Sequence, residues 1–135
     1  MSPVQEPLFL TVDDVLELHA DQLRLFGGSD GVRDAGALDS AVATAAASFG
    51  GAYLHEDLFH MAAAYAFHIS QNQPFLDGNK RTALNAALVF LDVNGWIVSD
   101  PKETLYDAMI DIAEKRLDKD GLARAFRELA RPATE

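Results

Sequence analysis

The chain has 135 residues, no cysteine, 49% apolar residues and a formal net charge of −10. This length and composition predict one folded domain and argue against a disordered chain, and the lack of cysteine excludes disulfides and cysteine-based metal sites. The acidic balance argues against direct nucleic-acid binding, because phosphate contacts require a basic face. The N-terminal sequence does not resemble a signal peptide and no apolar stretch could span a bilayer, so we expect a cytoplasmic protein without a membrane partner.

Two helices are predicted in the first third of the chain. Thr11 is a favourable N-cap for the first helix, and Gly27-Gly28 ends it. A loop rich in glycine and aspartate follows over 27–36. Residues 37–47 are nearly all small, which predicts a second helix that packs closely against its neighbours.

An apolar helix is predicted in the middle of the chain. Residues 48–56 form a second loop, and Asp57 or Glu56 opens the helix, whose apolar residues cover most of its sides. This central helix ends near Asn72, because Pro74 disfavours helical backbone at the residue before it.

The remaining elements alternate between short connections and helices. A tight loop over 73–78 (the motif loop) precedes a long helix, which is capped by Asn79 and runs to about Asn94. A brief extended stretch over 96–98 follows, and then two amphipathic helices, over 102–115 and 119–131. Together the elements predict an all-α, single-domain bundle of about six helices over 1–135, with the motif loop between two central helices. We expect 1–7 and 132–135 to be flexible ends.

The motif loop and the first turn after it carry the residues that indicate chemistry. A helix N-terminus offers unpaired N–H groups and the positive end of the helix dipole, and Gly78 lets a ligand approach the backbone there. Lys80 and Arg81 add two cations in the first helical turn, which makes this segment a candidate anion site. Asp77 lies beside it, and a lone carboxylate next to phosphates typically holds Mg²⁺.

These features predict a nucleotide site, although a simpler interpretation also exists. Basic residues at a helix N-terminus oppose the dipole and cost about 0.3–1 kcal/mol each. A local cost of this kind often marks a functional residue, and a bound polyphosphate reverses the sign of the effect. The alternative is a solvated loop with an ordinary helix cap, because short motifs often match by chance.

The segment 73–81 resembles the Fic motif, His-x-Phe-x-Asp/Glu-Gly-Asn-x-Arg. The matching positions are Phe75, Asp77, Gly78, Asn79 and Arg81. Lys80 in place of glycine is similar to the death-on-curing (Doc) branch of this family. The resemblance covers most of the chain and implies the Fic-type helical fold, since it extends to the stretches 10–18, 27–41, 62–67 and 83–95.

The resemblance implies a role for each matching residue. Phe75 would anchor the motif loop in the core, and Asp77 would bind Mg²⁺. The residues that would bind the phosphates of ATP are Gly78, Asn79, Lys80, Arg81 and Asn85. The residues that would act in catalysis are Gln73, Asp77, Lys80 and Arg81. The loop over 48–56 lies where Fic proteins place a flap that aligns the target segment.

Gln73 departs from the motif, because the family has its general base, a histidine, at this position. That histidine accepts the proton of the target hydroxyl as the hydroxyl attacks phosphorus. A glutamine amide can orient a hydroxyl but cannot accept its proton, and loss of a general base typically costs about 10²–10⁴-fold in rate. The chain is therefore a natural pseudoenzyme or an inactivated form of an active toxin. We favour the second, since histidine and glutamine codons differ by one base and a lethal toxin selects for such a change.

None of the four histidines of the chain has a motif context that would replace this base. His68 lies little more than one turn upstream of the motif loop, and we expect the helix to direct it into packing or towards solvent. His19, His55 and His60 are interpreted as surface or satisfied core histidines.

The resemblance implies a Doc-type kinase toxin. Fic proteins with the full motif transfer AMP to a target hydroxyl and carry a second arginine, whose position is Leu84 here. The Doc branch implies a reversed nucleotide whose γ-phosphate faces the target, a threonine of elongation factor Tu, so that protein synthesis is arrested. Two alternatives stay open: AMP transfer to a target hydroxyl, and a catalytically dead module that binds nucleotide or a partner.

The resemblance also implies restraint by another chain. Many Fic proteins contain an inhibitory helix with a Ser/Thr-x-x-x-Glu-Gly/Asn motif, and the nearest match here, 99–104, has Thr104 at the last position. Doc-like toxins are paired with an antitoxin whose flexible end folds as a helix into a groove on the toxin. The small residues of 37–47 suit the lining of such a groove and tight internal packing equally well.

Overall fold

The computed structural model describes residues 6–133, which form six α-helices and two small antiparallel sheets. The helices are α1 (Val12–Phe26), α2 (Ala35–Thr44), α3 (Leu58–Asn72), α4 (Asn79–Val93), α5 (Thr104–Ala113) and α6 (Lys119–Leu129). The strands are β1 (Ser48–Phe49), β2 (Ala52–Tyr53), β3 (Trp96–Val98) and β4 (Ala130–Pro132). The prediction of an all-α fold with about six helices is confirmed.

Helix α3 lies at the centre of the bundle and packs against α2, α4, α5 and α6. Residues 61–66 are buried on every side of the helix, and four of them are alanine. Because alanine has little side-chain volume, the neighbouring helices approach α3 closely. Although α3 is apolar, no helix within residues 6–133 has both the length and the apolar character needed to cross a membrane.

Side-chain caps start the first three helices. Thr11 accepts a hydrogen bond from the Asp14 N–H (3.1 Å) and the Asp14 carboxylate accepts one from the Thr11 N–H (2.8 Å), which completes a capping box on α1. Asp57 caps α3, as predicted. Asp34 caps α2, so this helix begins two residues earlier than the run of small residues indicated, and it ends earlier as well, at Thr44. A capping carboxylate decides the start because it satisfies the first free N–H groups of the helix.

The extended stretch predicted before α5 is β3, and its partner β4 follows α6. Trp96 pairs with Pro132, and the N–H of Ala133 donates to a backbone oxygen of the turn after α4 (2.9 Å). Pro132, which the sequence placed in a flexible end, is therefore part of a sheet, through a pairing between segments far apart in the chain. The predicted flexible ends also include 1–5 and 134–135, which lie outside the described residues.

The loop predicted between α2 and α3 contains a hairpin, formed by β1 and β2. Ser48 pairs with Tyr53 across it. Gly50 and Gly51 form the turn with φ of 62° and 84°, a left-handed conformation that glycine adopts without strain. The two glycines thus explain why the chain reverses at this point.

Candidate functional site

A cavity of about 480 Å³ (the first cavity) opens at the motif loop. Its wall comes from the end of α1, the end of α3, the motif loop, the start of α4 and part of α5. The predicted site residues that line it are Gln73, Asp77, Gly78, Asn79, Lys80 and Arg81. Asn85, which was also predicted to bind phosphate, lines an adjoining cavity of about 740 Å³ (the second cavity) instead. The fold therefore brings together all of the predicted site except Asn85.

Gln73 ends α3 in a left-handed conformation, with φ of 46°. Arg33, from the loop before α2, donates from Nε to the backbone oxygen of Gln73 (2.7 Å) and from Nη2 to that of Asn72 (2.8 Å). These bonds satisfy carbonyl groups that a helix C-terminus leaves unpaired and place a cation at the negative end of the helix dipole. Arg33 thereby holds the backbone of residue 73 at the edge of the first cavity.

Backbone hydrogen bonds attach the motif loop to the segment 31–34. The backbone oxygen of Pro74 accepts from the N–H of Arg33 (2.7 Å), and the N–H of Leu76 donates to the oxygen of Gly31 (3.0 Å). The two segments run antiparallel here and form an isolated β-bridge. The path of the motif loop is therefore set by a segment about 40 residues earlier in the chain.

Asn79 ties the motif loop to the start of α4. Its Oδ1 accepts from the N–H of Phe75 and its Nδ2 donates to the oxygen of Phe75, both at 3.0 Å. The prediction that Asn79 caps α4 is wrong: Gly78 is the N-cap, without a side-chain cap bond, and Asn79 is the first helical residue. The amide of Asn79 turns back instead because Phe75 is buried, with 1% of its surface exposed, and its backbone groups need partners.

The Asp77 carboxylate accepts two backbone hydrogen bonds, from Ser29 to Oδ2 and from Gly78 to Oδ1, each at 3.2 Å. A glycine is required at position 28 for this approach, because a Cβ on Gly28 would lie 3.0 Å from Oδ2. Within residues 6–133, no cationic side chain pairs with this carboxylate. The Asp77 carboxylate, which can accept about four hydrogen bonds, therefore keeps lone pairs without a partner in the described chain, at the wall of the first cavity.

His19 of α1 packs against the motif loop. Its ring is buried and stacks on Phe75, with ring centroids 3.8 Å apart and an angle of 6° between the planes. Its Nε2–H donates to the backbone oxygen of Asp77 (2.8 Å). His19 is thus a core histidine, and its position holds the backbone on both sides of Leu76.

Lys80 and Arg81 lie in the first turn of α4, where the free N–H groups of the helix open into the first cavity. Neither side chain pairs with a carboxylate of the described chain. The Arg81 guanidinium instead lies between two rings, 3.8 Å from the centroid of Phe26 and 4.8 Å from that of Tyr106. The positive charge at this helix end is therefore available to an anionic ligand.

The other histidines lie away from the first cavity. The Nζ of Lys119 donates to Nε2 of His68 (3.0 Å) and lies 3.4 Å from Nε2 of His55. Burial, with the Lys119 ammonium and His55 as further causes, lowers the pKa of His68 from 6.5 to about 4. The sequence left packing and solvent open for His68, and the structure places it half-buried against Lys119. His68 is therefore not placed to replace a base at position 73.

A second group of possible metal ligands lies at the start of α3, where ligand atoms of Glu56, Asp57 and His60 come within 4.8 Å of one another. Asp57 already accepts from Nδ1 of His60 (2.8 Å) and from Arg127. These contacts join α3 to α6, so we assign this group to the packing of the two helices.

The hairpin that the resemblance assigns as a flap does not line the first cavity. Its most exposed apolar side chain is Phe49, with 82% of its surface exposed, and the neighbouring Leu54 is 63% exposed. Within residues 6–133, the hairpin and the motif loop are therefore separate surfaces.

Sequence reasoning missed the residues that support the motif loop. Arg33 lies in the stretch 27–41 that carries the resemblance, but no role was assigned to it, and His19, Phe26 and Tyr106 come from other distant segments. Gly28 was the one visible signal, because a glycine after a helix end also permits the close approach of another segment. Contacts between segments that are far apart in the chain cannot be read from a single sequence, which explains the omissions.

Comparisons with known proteins find similar sequences in one family. Residues 9–91 match the model of the Fic/DOC family. The protein named Toxin Doc of Mycolicibacterium smegmatis (strain ATCC 700084 / mc(2)155) is 39% identical over 100 residues, which are 73% of this chain and 77% of that protein. The protein named Protein kinase doc of Escherichia phage P1 is 32% identical over 121 residues, which are 89% of this chain and 94% of that protein.

Proposed function

This chain belongs to the Doc branch of the Fic/DOC family, and on that premise we propose that it is the toxin of a toxin–antitoxin pair with a protein kinase active site. The reaction is transfer of the γ-phosphate of ATP to a threonine hydroxyl of elongation factor Tu, which arrests translation in the cytoplasm. The observation that supports it most is the convergence of Asp77, Lys80 and Arg81 on one cavity at the uncapped start of α4.

The first cavity suits a polyphosphate and its metal ion. The N–H groups of the first turn of α4, together with Lys80 and Arg81, bind phosphate oxygens through hydrogen bonds and charge. The set of donors fits Mg²⁺, because this ion is typically bound by one or two carboxylates, with phosphates and waters as the other ligands. Asp77 would hold it, and the ion would supply charge neutralisation of the phosphates.

Phosphoryl transfer requires a group that accepts a proton. The threonine oxygen forms a bond to the γ-phosphorus, the bond from that phosphorus to the β–γ bridging oxygen breaks, and ADP leaves with the electron pair. The proton of the hydroxyl must pass to a base beside the attacking oxygen. Gln73 is the side chain at the motif position, and its amide orients the hydroxyl without taking the proton. We therefore propose that this form of the chain binds ATP but transfers phosphate slowly.

A toxin of this kind needs a partner that restrains it. We propose a cognate antitoxin whose neutralising segment folds as a helix on this chain, in keeping with the printed name of the relative from Mycolicibacterium smegmatis. The protein substrate and the antitoxin are separate partners, and we propose no direct contact with nucleic acid and no membrane partner.

AMP transfer is the second candidate reaction, and a binding module without turnover is the third. The side chain that favours the kinase over AMP transfer is Leu84, which replaces the second arginine of the AMP-transferring motif. The feature that favours a binding module is Gln73 itself. The experiment below distinguishes all three.

The test compares the chain with its Gln73→His variant. Each is incubated with Mg²⁺, purified elongation factor Tu and ATP labelled at the α- or the γ-phosphate. We expect the γ label to be transferred about 10²–10⁴-fold faster by the variant, because it restores a general base. Transfer of the α label instead would establish AMP transfer.

The control is the double variant Gln73→His with Asp77→Asn, which keeps the base and removes the metal carboxylate. It should bind ATP more weakly and transfer little label. Binding of ATP to the chain without transfer by the single variant, with elongation factor Tu or with a cell extract, would support the binding module and overturn the kinase.

A further inference from the structure

Arg33 contacts three successive carbonyl groups where α3 ends and the motif loop begins. Its side chain donates to the backbone oxygens of Asn72 (2.8 Å) and Gln73 (2.7 Å). Its backbone N–H donates to the oxygen of Pro74 (2.7 Å). A single residue of the segment 31–34 therefore holds the backbone on both sides of Gln73.

The planar guanidinium of Arg33 suits two neighbouring carbonyl oxygens. Nε and Nη2 lie on the same edge of this group, so their N–H bonds reach two acceptors at a fixed separation. The Arg33 side chain is exposed, yet within residues 6–133 it forms no ion pair with a carboxylate. Its side-chain hydrogen bonds thus serve the end of α3 and not the surface charge.

The backbone conformation of Gln73 needs such support. Its φ of 46° and ψ of 57° lie in the left-handed region, which glycine adopts freely and a residue with a side chain adopts at a cost. The N–H of Gln73 donates to the oxygen of Ile69 (3.1 Å), and its own oxygen accepts from Arg33. A strained conformation of this kind persists only where its surroundings fix it, and these bonds provide the fixation.

The conformation of Gln73 decides where its side chain lies, because φ and ψ set the direction of the Cα–Cβ bond. A right-handed conformation would continue α3, whereas the left-handed one ends the helix at the edge of the first cavity. Gln73 lines that cavity, and Arg33 does not. Any effect of Arg33 on the cavity therefore passes through the backbone of residue 73.

We propose that Arg33 is a positioning residue for the chemistry at position 73. Its two side-chain hydrogen bonds keep residue 73 in the left-handed conformation that presents this position to the first cavity. The inference rests on the proposed function, because it takes position 73 as the place of the proton acceptor. A histidine restored at this position then acts as a base only while Arg33 is present.

The effect of Arg33 falls on the rate and not on the affinity for ATP. A general base must lie within about 2.6–3.2 Å of the group whose proton it accepts. A displacement of about 1 Å can cost 10²-fold in rate. The phosphates, in contrast, are bound by the start of α4, which Arg33 does not contact.

The first experiment measures kcat and KM for ATP in the Gln73→His background, with Mg²⁺ and elongation factor Tu. We expect Arg33→Ala to lower kcat about 10–100-fold and to leave KM for ATP within about twofold. Arg33→Lys keeps the positive charge, but its single nitrogen cannot reproduce the fork, so most of the loss in kcat should remain.

The matched control is Asp34→Ala in the same background. It removes the cap of α2 and so destabilises the fold, but it keeps the backbone N–H that donates to Pro74. We expect this variant to keep the kcat of Gln73→His, and melting temperatures show whether the two losses of stability are comparable. An equal fall in kcat in both variants, or full kcat in Arg33→Lys, would overturn the inference.

A second experiment does not depend on activity. The NMR backbone chemical shifts of Gln73 report its φ in the otherwise unmodified chain. We expect Arg33→Ala to move them away from left-handed values and Asp34→Ala to leave them unchanged. Unchanged shifts in folded Arg33→Ala would overturn the inference even if its rate were low. If Gln73→His transfers no label, the proposed function fails, and the chemical shifts alone then decide whether Arg33 positions residue 73.

Discussion

The loops on either side of α3 are anchored differently. The motif loop is attached through its backbone to the segment 31–34, through Asn79 to the start of α4 and through His19 to α1. The hairpin of β1 and β2 is attached mainly by its own strand pairing and by Tyr53, whose hydroxyl donates to Glu6 (2.7 Å) and whose ring packs on Phe9. One loop is part of the core structure, and the other lies on its surface.

The proposed function of the motif loop explains why it is anchored more firmly than the hairpin. Phosphate binding requires backbone N–H groups and a carboxylate at fixed positions, since a displacement of about 1 Å can cost 10²-fold in rate. Contacts with α1 and with the loop before α2 hold the motif loop in a fixed position. A loop with short strands and exposed apolar side chains can adjust to a partner, at low cost in stability.

The strongest test of this comparison is Asn79→Ala. It leaves the buried N–H and oxygen of Phe75 without partners, so we expect a loss of about 2–4 kcal/mol in the free energy of unfolding, measured with urea. The control is the neighbouring Lys80→Ala, which removes a cation that opposes the dipole of α4 and should stabilise the apo chain by about 0.3–1 kcal/mol. Equal effects of the two variants would show that Asn79 is not an anchor.

A smaller effect on stability is expected from a decrease in pH, through the histidines beside Lys119. The Nζ of Lys119 lies close to Nε2 of both His55 and His68. The pKa of His68 is about 4 in the folded chain and near 6.5 when unfolded, so the folded chain binds fewer protons between these values. Stability is therefore complete above pH 6.5 and falls as the pH decreases towards 4. We expect a loss of about 1 kcal/mol between pH 7 and pH 5, after allowance for partial exposure.

The measurement is the melting temperature at both pH values for the chain and for His68→Gln. Glutamine keeps an acceptor for Lys119 and does not titrate, so the variant should show a smaller decrease than the chain. An identical decrease in both proteins would assign the pH effect to other groups.

The smallest effect is expected from Phe49→Ser in the hairpin. With 82% of its surface exposed, Phe49 contributes little burial, and the free energy of unfolding should change by less than about 0.5 kcal/mol. Nucleotide affinity should also stay unchanged, because the hairpin does not line either cavity. A change above about 1 kcal/mol would show that the hairpin is as firmly anchored as the motif loop.

Much of the fold could be predicted from the sequence, because its signals are local. Thr11 and Asp57 start helices, Pro74 prevents α3 from continuing, and glycines mark the turns. The residues that converge on the first cavity were predicted from one short segment, since consecutive residues at a helix start necessarily lie close together. The boundaries of α2 and the role of Asn79 were wrong, because a cap or an amide selects its partner from what the tertiary structure leaves unpaired.

By itself the sequence determined the helices, the motif loop and the resemblance to the Fic/DOC family, all of which depend on neighbouring residues or on a continuous pattern. Only the tertiary structure decided that Arg33 and His19 support the loop, that β4 pairs with β3, and that Asn85 belongs to the second cavity. Each of these depends on segments that the chain separates widely. Packing brings such segments together, and no local propensity encodes which of them will meet.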